Sequence, residues 1–166
     1  MGPWFGVSPQ ATVGRMTAPS TRQLPRFERE FTQRFSSTRL GARLARHLAL
    51  YQLHRWGHPP ESALAEAAGL VVAELAANAV THGRVAGRDF EMRLALTAEM
   101  LRIDVTDTRS ERRPPEPGQG AAPGPLAESG RGLMLVEALA ERWSVLDRPQ
   151  IGKTVRAELA VPRPGA

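Results

Sequence analysis

The stretch of sequence that decides the fold is VVAELAANAVTHG, from Val71 to Gly83. It has the composition of an apolar, alanine-rich helix, yet it carries a carboxylate at Glu74 and an amide one turn later at Asn78. Residues four apart lie on one helical face, and Ala67 and Leu70 lie around that same face. A carboxylate among apolar neighbours is costly unless something pairs with it. We therefore predict that this stretch either makes an internal polar network or holds a ligand.

The composition limits the classes of protein that the chain can belong to. Its 166 residues, of which 42% are hydrophobic, are enough for one domain with a real core. The absence of cysteine excludes disulfides, thiolate metal sites and cysteine nucleophiles, and the four histidines do not form an HExxH zinc spacing. No run approaches the ~20 apolar residues of a membrane span, and no apolar signal core begins the chain. We expect a cytoplasmic protein without membrane contacts.

The charge balance favours an acidic partner. The net charge is +5 and the sequence pI is near 11.1, which raises the prior for nucleic acid or for an acidic protein. The basic residues are arginines apart from Lys153; they are scattered, and aromatic residues make up 5% of the chain. Nucleic-acid surfaces more often show a dense basic stripe or stacking aromatics. We expect no direct nucleic-acid contact, and keep a nucleic-acid-binding protein as an alternative that rests on charge alone.

Periodicity and turn residues divide the chain. Residues 1–24 are rich in proline and glycine and are predicted to be a flexible leader, residues 25–162 a single domain, and residues 163–166 a tail. The predicted order is strand, helix, helix, strand, strand, long loop, helix, strand, strand. Without regular βαβ alternation, this order predicts an α+β two-layer sandwich, with a mixed, mainly antiparallel sheet and helices on one face.

Two helices are predicted before the first pair of neighbouring strands. In STRLGARLARHLALYQLHRW, Ser37 or Thr38 is the candidate N-cap and Gly57 follows the end. Four apolar residues at helical spacing are expected in the core: Leu40, Leu44, Leu48 and Tyr51. The second helix is predicted from about 61 to 81, and Gly83 is expected to end it in a left-handed conformation.

The second half of the chain holds the remaining candidate residues. RDFEMRLALTA and MLRIDVTDT alternate apolar and polar residues and predict a hairpin that ends at Asp107. From 109 to 130 the chain has five prolines and four glycines, a long loop of the kind that is usually functional or disordered. GRGLMLVEALAERW then predicts a helix, and WSVLD and GKTVRAELAV predict two strands, the second containing Thr154.

Four of these segments carry a family resemblance. ELAANAVTHG resembles the asparagine box of the ATPase superfamily shared by gyrase B subunits, sensor histidine kinases and mismatch-repair ATPases. IDVTDT sits where that superfamily has its adenine-binding aspartate, ESGRGLMLVEALAERWSV is similar to its glycine-rich lid hinge, and GKTVRAEL to its last nucleotide-contacting strand. Over residues 27–161 the arrangement most resembles the anti-sigma-factor serine/threonine kinases and related actinobacterial ATP-binding proteins. The resemblance implies the histidine-kinase-like ATPase (Bergerat) fold, with ATP and Mg²⁺ as ligands.

The resemblance implies a role for each polar residue of the second helix. Asn78 would offer its amide oxygen to Mg²⁺; the alternative is an amide bonded to backbone. Glu74 would act as general base toward the substrate hydroxyl; the alternative is a structural carboxylate paired with an arginine. His82 and Gly83 would support the nucleotide site from the helix end, although a helix-terminal histidine is more often structural.

The other segments would hold the base and the phosphates. Asp107 would accept a hydrogen bond from the exocyclic amine of adenine; the alternative is that it is a turn residue at a strand end. Thr108 follows where the superfamily has glycines, a departure from the pattern. Thr154 would bridge Asp107, or a water, to the base. The segment that would contact the phosphates is the start of the third helix, at Gly130, Arg131, Gly132 and Leu133; the alternative is a simple loop-to-helix turn.

Two functions follow from the resemblance. The first is a kinase that phosphorylates an anti-sigma-factor antagonist and, in another state, binds a sigma factor; such kinases are often homodimers. The second is a nucleotide-dependent protein-binding module without phosphotransfer. Glu74 favours the first function but does not separate the two.

Overall fold

A computed structural model of the chain describes residues 27–83, 85, 87–108, 131–148 and 152–162. The predicted leader (1–24), the long loop (109–130) and the tail (163–166) lie outside the described residues. The elements, in chain order, are β1 (Arg29–Ser36), α1 (Arg39–Arg55), α2 (Ala63–Thr81), β2 (Asp89–Leu96), β3 (Met100–Asp107), α3 (Arg131–Leu139), β4 (Arg142–Asp147) and β5 (Lys153–Ala160).

The five strands form one open sheet in the order β1-β2-β3-β5-β4. Each strand pairing in this sheet is antiparallel, and β2 and β3 form the predicted hairpin. The predicted α+β class, with an open sheet and helices, is therefore confirmed, although the described sheet is antiparallel throughout rather than mixed.

Alternation along the strands gives the sheet one apolar face. Leu94, Ile103 and Ala157 are cross-strand neighbours and are fully buried. Phe35 on β1 stacks on Phe90 of β2, with ring centroids 5.5 Å apart. This face joins the helices in a single hydrophobic cluster.

The central helix of the domain is α2. The Ser62 hydroxyl caps it by accepting from the amide of Ala65 at 3.3 Å, so the helix begins slightly later than the sequence predicts. Nine of its residues are buried, and it contacts α1, α3 and the inner strands. By length and composition alone, α2 is long and apolar enough to span a membrane. Its apolar composition is accounted for by its place in the core, because half of that apolar window is buried inside the domain.

The first helix corrects one prediction. Thr38 is its N-cap, bonded to the amide of Gly41 at 3.0 Å, and Gly57 follows it with φ +95°, as expected. However, Leu40, Leu44 and Tyr51 are largely exposed. The buried face consists instead of Gly41, Ala45, Ala49 and Leu53. Small side chains let the helix approach its neighbours closely: a β-carbon at Gly41 would overlap the carbonyl oxygen of Ser36. Of the predicted apolar stripe, Leu48 is half-buried and packs against the core, whereas the other three residues lie beside the core face.

The opposite face of the sheet carries ion pairs between arginines and buried carboxylates. Arg156 makes a two-pronged contact with Asp104, each bond 2.8 Å long, and this hydrogen bonding raises the pKa of Arg156 above its ordinary value. The Glu158 carboxylate accepts hydrogen bonds from Arg102, at 3.0 Å, and from Arg142. Burial alone would raise the pKa of Glu158, but the hydrogen bonds from the two arginines outweigh it and hold that pKa below its ordinary value.

Because the folded-state pKa of Glu158 is depressed, its ionised form stabilises the fold above about pH 4.5, and this contribution is lost as the pH falls further. We expect Glu158→Gln to lower the free energy of unfolding at pH 7 by about 1–2 kcal/mol, since bonds to a charged acceptor are replaced by neutral ones. Urea denaturation between pH 3 and pH 7 measures this. The exposed Glu61→Gln is the matched control. Equal effects of the two substitutions at pH 7 would contradict the assigned role.

Candidate functional site

Glu74 and Asn78 lie on successive turns of α2, and both are half-buried. Within the described part of the chain, neither side chain makes a hydrogen bond or an ion pair. The described residues therefore show neither of the two structural alternatives, which were an arginine paired with Glu74 and a backbone group bonded to the Asn78 side chain. A half-buried carboxylate and a half-buried amide that are left free for a partner indicate a ligand site.

The first turn of α3 lies against Glu74. A β-carbon at Gly132 would overlap the Glu74 carboxylate, so the glycine lets this carboxylate lie directly against the helix. The carboxylate is therefore next to the beginning of a helix, where free N–H groups and the helix dipole attract anions. Leu133 is half-buried and packs on the core. Gly130 and the side chain of Arg131 lie outside the described residues.

Asp107 is buried at the end of β3, and its carboxylate lies 2.8 Å from the ammonium of Lys153 on β5. The side chains are 7% and 4% exposed, and the two residues are partners in the antiparallel register. Lysine compensates the buried negative charge and keeps a carboxylate oxygen, a strong acceptor, in the interior.

Two glycines close around Asp107. A β-carbon at Gly83 would overlap the Asp107 carboxyl group, and one at Gly152 would overlap the Asp107 carbonyl oxygen. Gly152 has φ +100°, which favours glycine. The expectation that Gly83 adopts a left-handed conformation is wrong, since its φ is not positive. Glycine is needed there because α2 ends in direct contact with Asp107.

Thr154 is not brought to Asp107. Its hydroxyl lies 2.8 Å from the hydroxyl of Thr106, its partner across the β3–β5 ladder. Since neighbouring residues in a strand face opposite sides, this pair is on the face away from Asp107 and Lys153. The predicted bridge from Asp107 through Thr154 is therefore not formed here, and Lys153 occupies the position beside the carboxylate.

The remaining predicted residues lie at the edge of this site. His82 is the C-cap of α2, and its amide donates to the carbonyl of Asn78 at 2.8 Å. Thr108 follows β3 and lines a separate cavity with Thr106 and Arg148. Sequence reasoning missed Lys153 as a site residue. The signal was available, because Lys153 is the only lysine in the chain and alternation along GKTVRAEL places it on the same face as the buried Val155.

The site is elongated along α2. One end is formed by Glu74 and Gly132, and the other by Gly83 and Asp107. Glu74 and Gly83 are nine residues apart, which corresponds to about 13 Å along the helix axis. One end offers a carboxylate and a helix beginning, the Asn78 amide lies between the two ends, and the other end offers a buried acceptor. An elongated ligand with phosphates at one end and a hydrogen-bonding base at the other matches this arrangement.

Comparison with protein families agrees with this geometry. The family model of the histidine kinase-like ATPase domain matches residues 35–159. The chain belongs to this family. Among curated proteins, none matches the chain. Family membership supports ATP binding, and it extends over α2, β3, α3 and β5, the four elements that build the site.

The Asp107–Lys153 pair gives a testable coupling. Lys153→Met leaves the Asp107 carboxylate buried without its cation and should lower the free energy of unfolding by about 3 kcal/mol. The double variant Asp107→Asn with Lys153→Met removes both charges and should be more stable than the sum of the single effects predicts. Urea denaturation of Lys153→Met, of Asp107→Asn and of the double variant, beside the wild type, measures the coupling energy. Additive effects would show that the pair does not act as a unit.

Proposed function

We propose that this ATP-binding protein is a serine/threonine kinase that phosphorylates an anti-sigma-factor antagonist and binds a sigma factor. The observation that carries the proposal is the Glu74 carboxylate. It is half-buried, makes no bond within the described residues, and lies beside the beginning of α3, one turn before Asn78. A protein that only binds nucleotide does not need a free carboxylate at this position.

The residues present fit Mg²⁺. The Asn78 side-chain oxygen accepts no hydrogen bond from the described residues, and an amide oxygen is a hard ligand of the kind that Mg²⁺ accepts. When bound, the ion would neutralise charge on the phosphates of ATP. Asn78 would hold the ion, and the start of α3 would face the phosphates with its N–H groups.

Glu74 would remove the proton from the substrate hydroxyl. The hydroxyl oxygen then bonds to the γ-phosphorus of ATP while the bond between that phosphorus and the bridging oxygen breaks. ADP leaves with the bonding electron pair, and the proton remains on Glu74 until it passes to solvent. Positioning and charge stabilisation supply most of the acceleration in phosphoryl transfer, so the base is one contribution among several.

Asp107 would recognise the base of the nucleotide. A carboxylate oxygen can accept a hydrogen bond from the exocyclic amine of adenine, and the contact with Lys153 at 2.8 Å fixes the position of the Asp107 carboxylate. This pairing also favours the second candidate, a nucleotide-dependent protein-binding module without phosphotransfer. In that function Asp107 serves mainly to tie β3 to β5 and to the end of α2, and nucleotide changes which partner is bound.

The partners follow from the same proposal. A sigma factor and an anti-sigma-factor antagonist would both be proteins, and the net charge of +5 suits acidic surfaces on them. We further propose cytoplasmic action as a monomer or homodimer, without direct contacts to nucleic acid or membrane.

The kinase assignment is tested with Glu74→Gln, which keeps the shape of the side chain and removes its basicity. Purified anti-sigma-factor antagonists of the source organism are incubated with the protein and ATP labelled on the γ-phosphate. We expect the wild type to label a serine or threonine and the variant to lose about 100-fold or more in rate, the usual contribution of a general base. ATP affinity should stay within about threefold.

The outcomes separate the two functions. Full labelling by Glu74→Gln would show that Glu74 is not the base. Saturable ATP binding with no labelling of any antagonist would favour the nucleotide-dependent binding module instead.

A further inference from the structure

An exposed leucine lies one helical turn before Glu74 on α2. Residues four apart share a helix face, so Leu70 and Glu74 lie on the same side of α2. Four residues correspond to about 6 Å along the helix axis. Leu70 is 43% exposed, whereas the other two leucines of this helix, Leu64 and Leu75, are buried. Packing of the core therefore does not account for a leucine at position 70.

A guanidinium group from α1 lies beside this leucine. A β-carbon placed at Gly69, the residue before Leu70, would be 3.7 Å from the Nε atom of Arg46. It would also be 3.1 Å from the side chain of Leu50, so the glycine allows α1 to pack closely here. Arg46 is exposed, and it makes no ion pair with the described residues. We call Arg46, Gly69 and Leu70 the Leu70 patch.

The direction of phosphoryl transfer decides what approaches the Leu70 patch. In the proposed kinase, on which this inference rests, ATP lies along α2 with its base toward Gly83 and its phosphates toward Glu74. The attacking and leaving oxygens of phosphoryl transfer lie roughly in line through the phosphorus. Since ADP leaves on the side of Gly83, the acceptor hydroxyl approaches from the side that faces the beginning of α2. The Leu70 patch lies on that side, one turn beyond Glu74.

The charges around the patch select the chemistry of the substrate segment. Arg46 attracts a carboxylate and can bond it with two N–H groups. Glu66, which is exposed one turn before Leu70, and Glu74, one turn after it, repel carboxylates at the two ends of the patch. Leu70 itself offers apolar surface. The patch therefore fits a polypeptide segment with an apolar side chain over Leu70 and a carboxylate on the α1 side, at Arg46.

We propose that the Leu70 patch binds the part of the protein substrate next to its acceptor serine or threonine. An extended chain rises about 3.3 Å per residue, so a residue two positions from the acceptor spans the distance from Glu74 to Leu70. That residue is apolar and packs on Leu70, and an acidic residue next to it meets Arg46. Leu70 and Arg46 determine specificity by holding this segment, and they do not touch the transferred phosphoryl group.

The test measures KM and kcat of the full chain for the anti-sigma-factor antagonist that the wild type labels with γ-labelled ATP. Leu70→Ala and Arg46→Glu should each raise KM for the antagonist about tenfold and leave kcat within about twofold, because they remove binding that is made before the chemical step. Leu70→Met, of similar volume, should restore KM to within about twofold. The matched controls are Leu44→Ala, at a leucine of α1 that is 50% exposed, and Arg55→Glu, on the opposite side of α1 from Arg46. Each control should change KM less than about twofold.

The other outcomes overturn the proposal, and they show where it fails. An unchanged KM in Leu70→Ala or in Arg46→Glu, or an equal rise in the controls, would show that the substrate does not bind at the patch, while labelling by the wild type keeps the kinase function intact. If Arg46→Glu weakens ATP binding more than about threefold, Arg46 serves the nucleotide and not the protein substrate. If the wild type binds ATP and labels no antagonist, the kinase function itself fails, and the substrate site falls with it.

Discussion

The close packing of α2 is the constraint on which the rest of the structure depends. Its end touches Asp107 at Gly83, and α3 touches its middle at Gly132, each at a distance where a side chain would overlap a carboxyl group. These two contacts bring residues from separate segments into one site. They also place two carboxylates, those of Glu74 and Asp107, at the two ends of the site, where their surroundings differ.

The different surroundings give the two carboxylates different roles. Asp107 is buried and tied to Lys153, so its charge is compensated and its position is fixed. Glu74 is half-buried and has no partner among the described residues, and its carboxylate lies beside the start of α3. The first is suited to recognition by hydrogen bonding, and the second to accepting a proton. This division supports a nucleotide that lies along α2 with its base toward Asp107.

Much of the fold was predictable from local pattern. The cap at Thr38, the β2–β3 hairpin and the glycine that follows α1 at Gly57 are predicted from residue types at short range. The exposure of Leu40, Leu44 and Tyr51 on α1 was not predictable, because periodicity shows that a helix face is apolar but does not show which of two adjacent faces packs against the core. Here the glycine and alanine face packs, since it allows closer approach.

The candidate site was predictable to a similar degree. The residues on α2 and at the end of β3 stand out from their local patterns. The Asp107–Lys153 pair and the direction of Thr154 depend on the register between β3 and β5, a long-range property that one sequence does not specify. The reason for glycine at 83 and 132 is likewise a tertiary contact. The sequence alone predicts a helix end at Gly83 and a phosphate contact at Gly132, and neither prediction includes the contact with a carboxyl group.

The most direct test of the account is calorimetric titration of the protein with ATP and Mg²⁺, beside Asn78→Ala. The account predicts saturable binding of one nucleotide per chain by the wild type. It also predicts that Asn78→Ala loses the Mg²⁺-dependent part of the affinity without loss of folding stability, since the Asn78 amide makes no bond to the described residues. No binding by a folded wild type, or unchanged Mg²⁺-dependent binding by Asn78→Ala, would contradict the assignment of the site along α2.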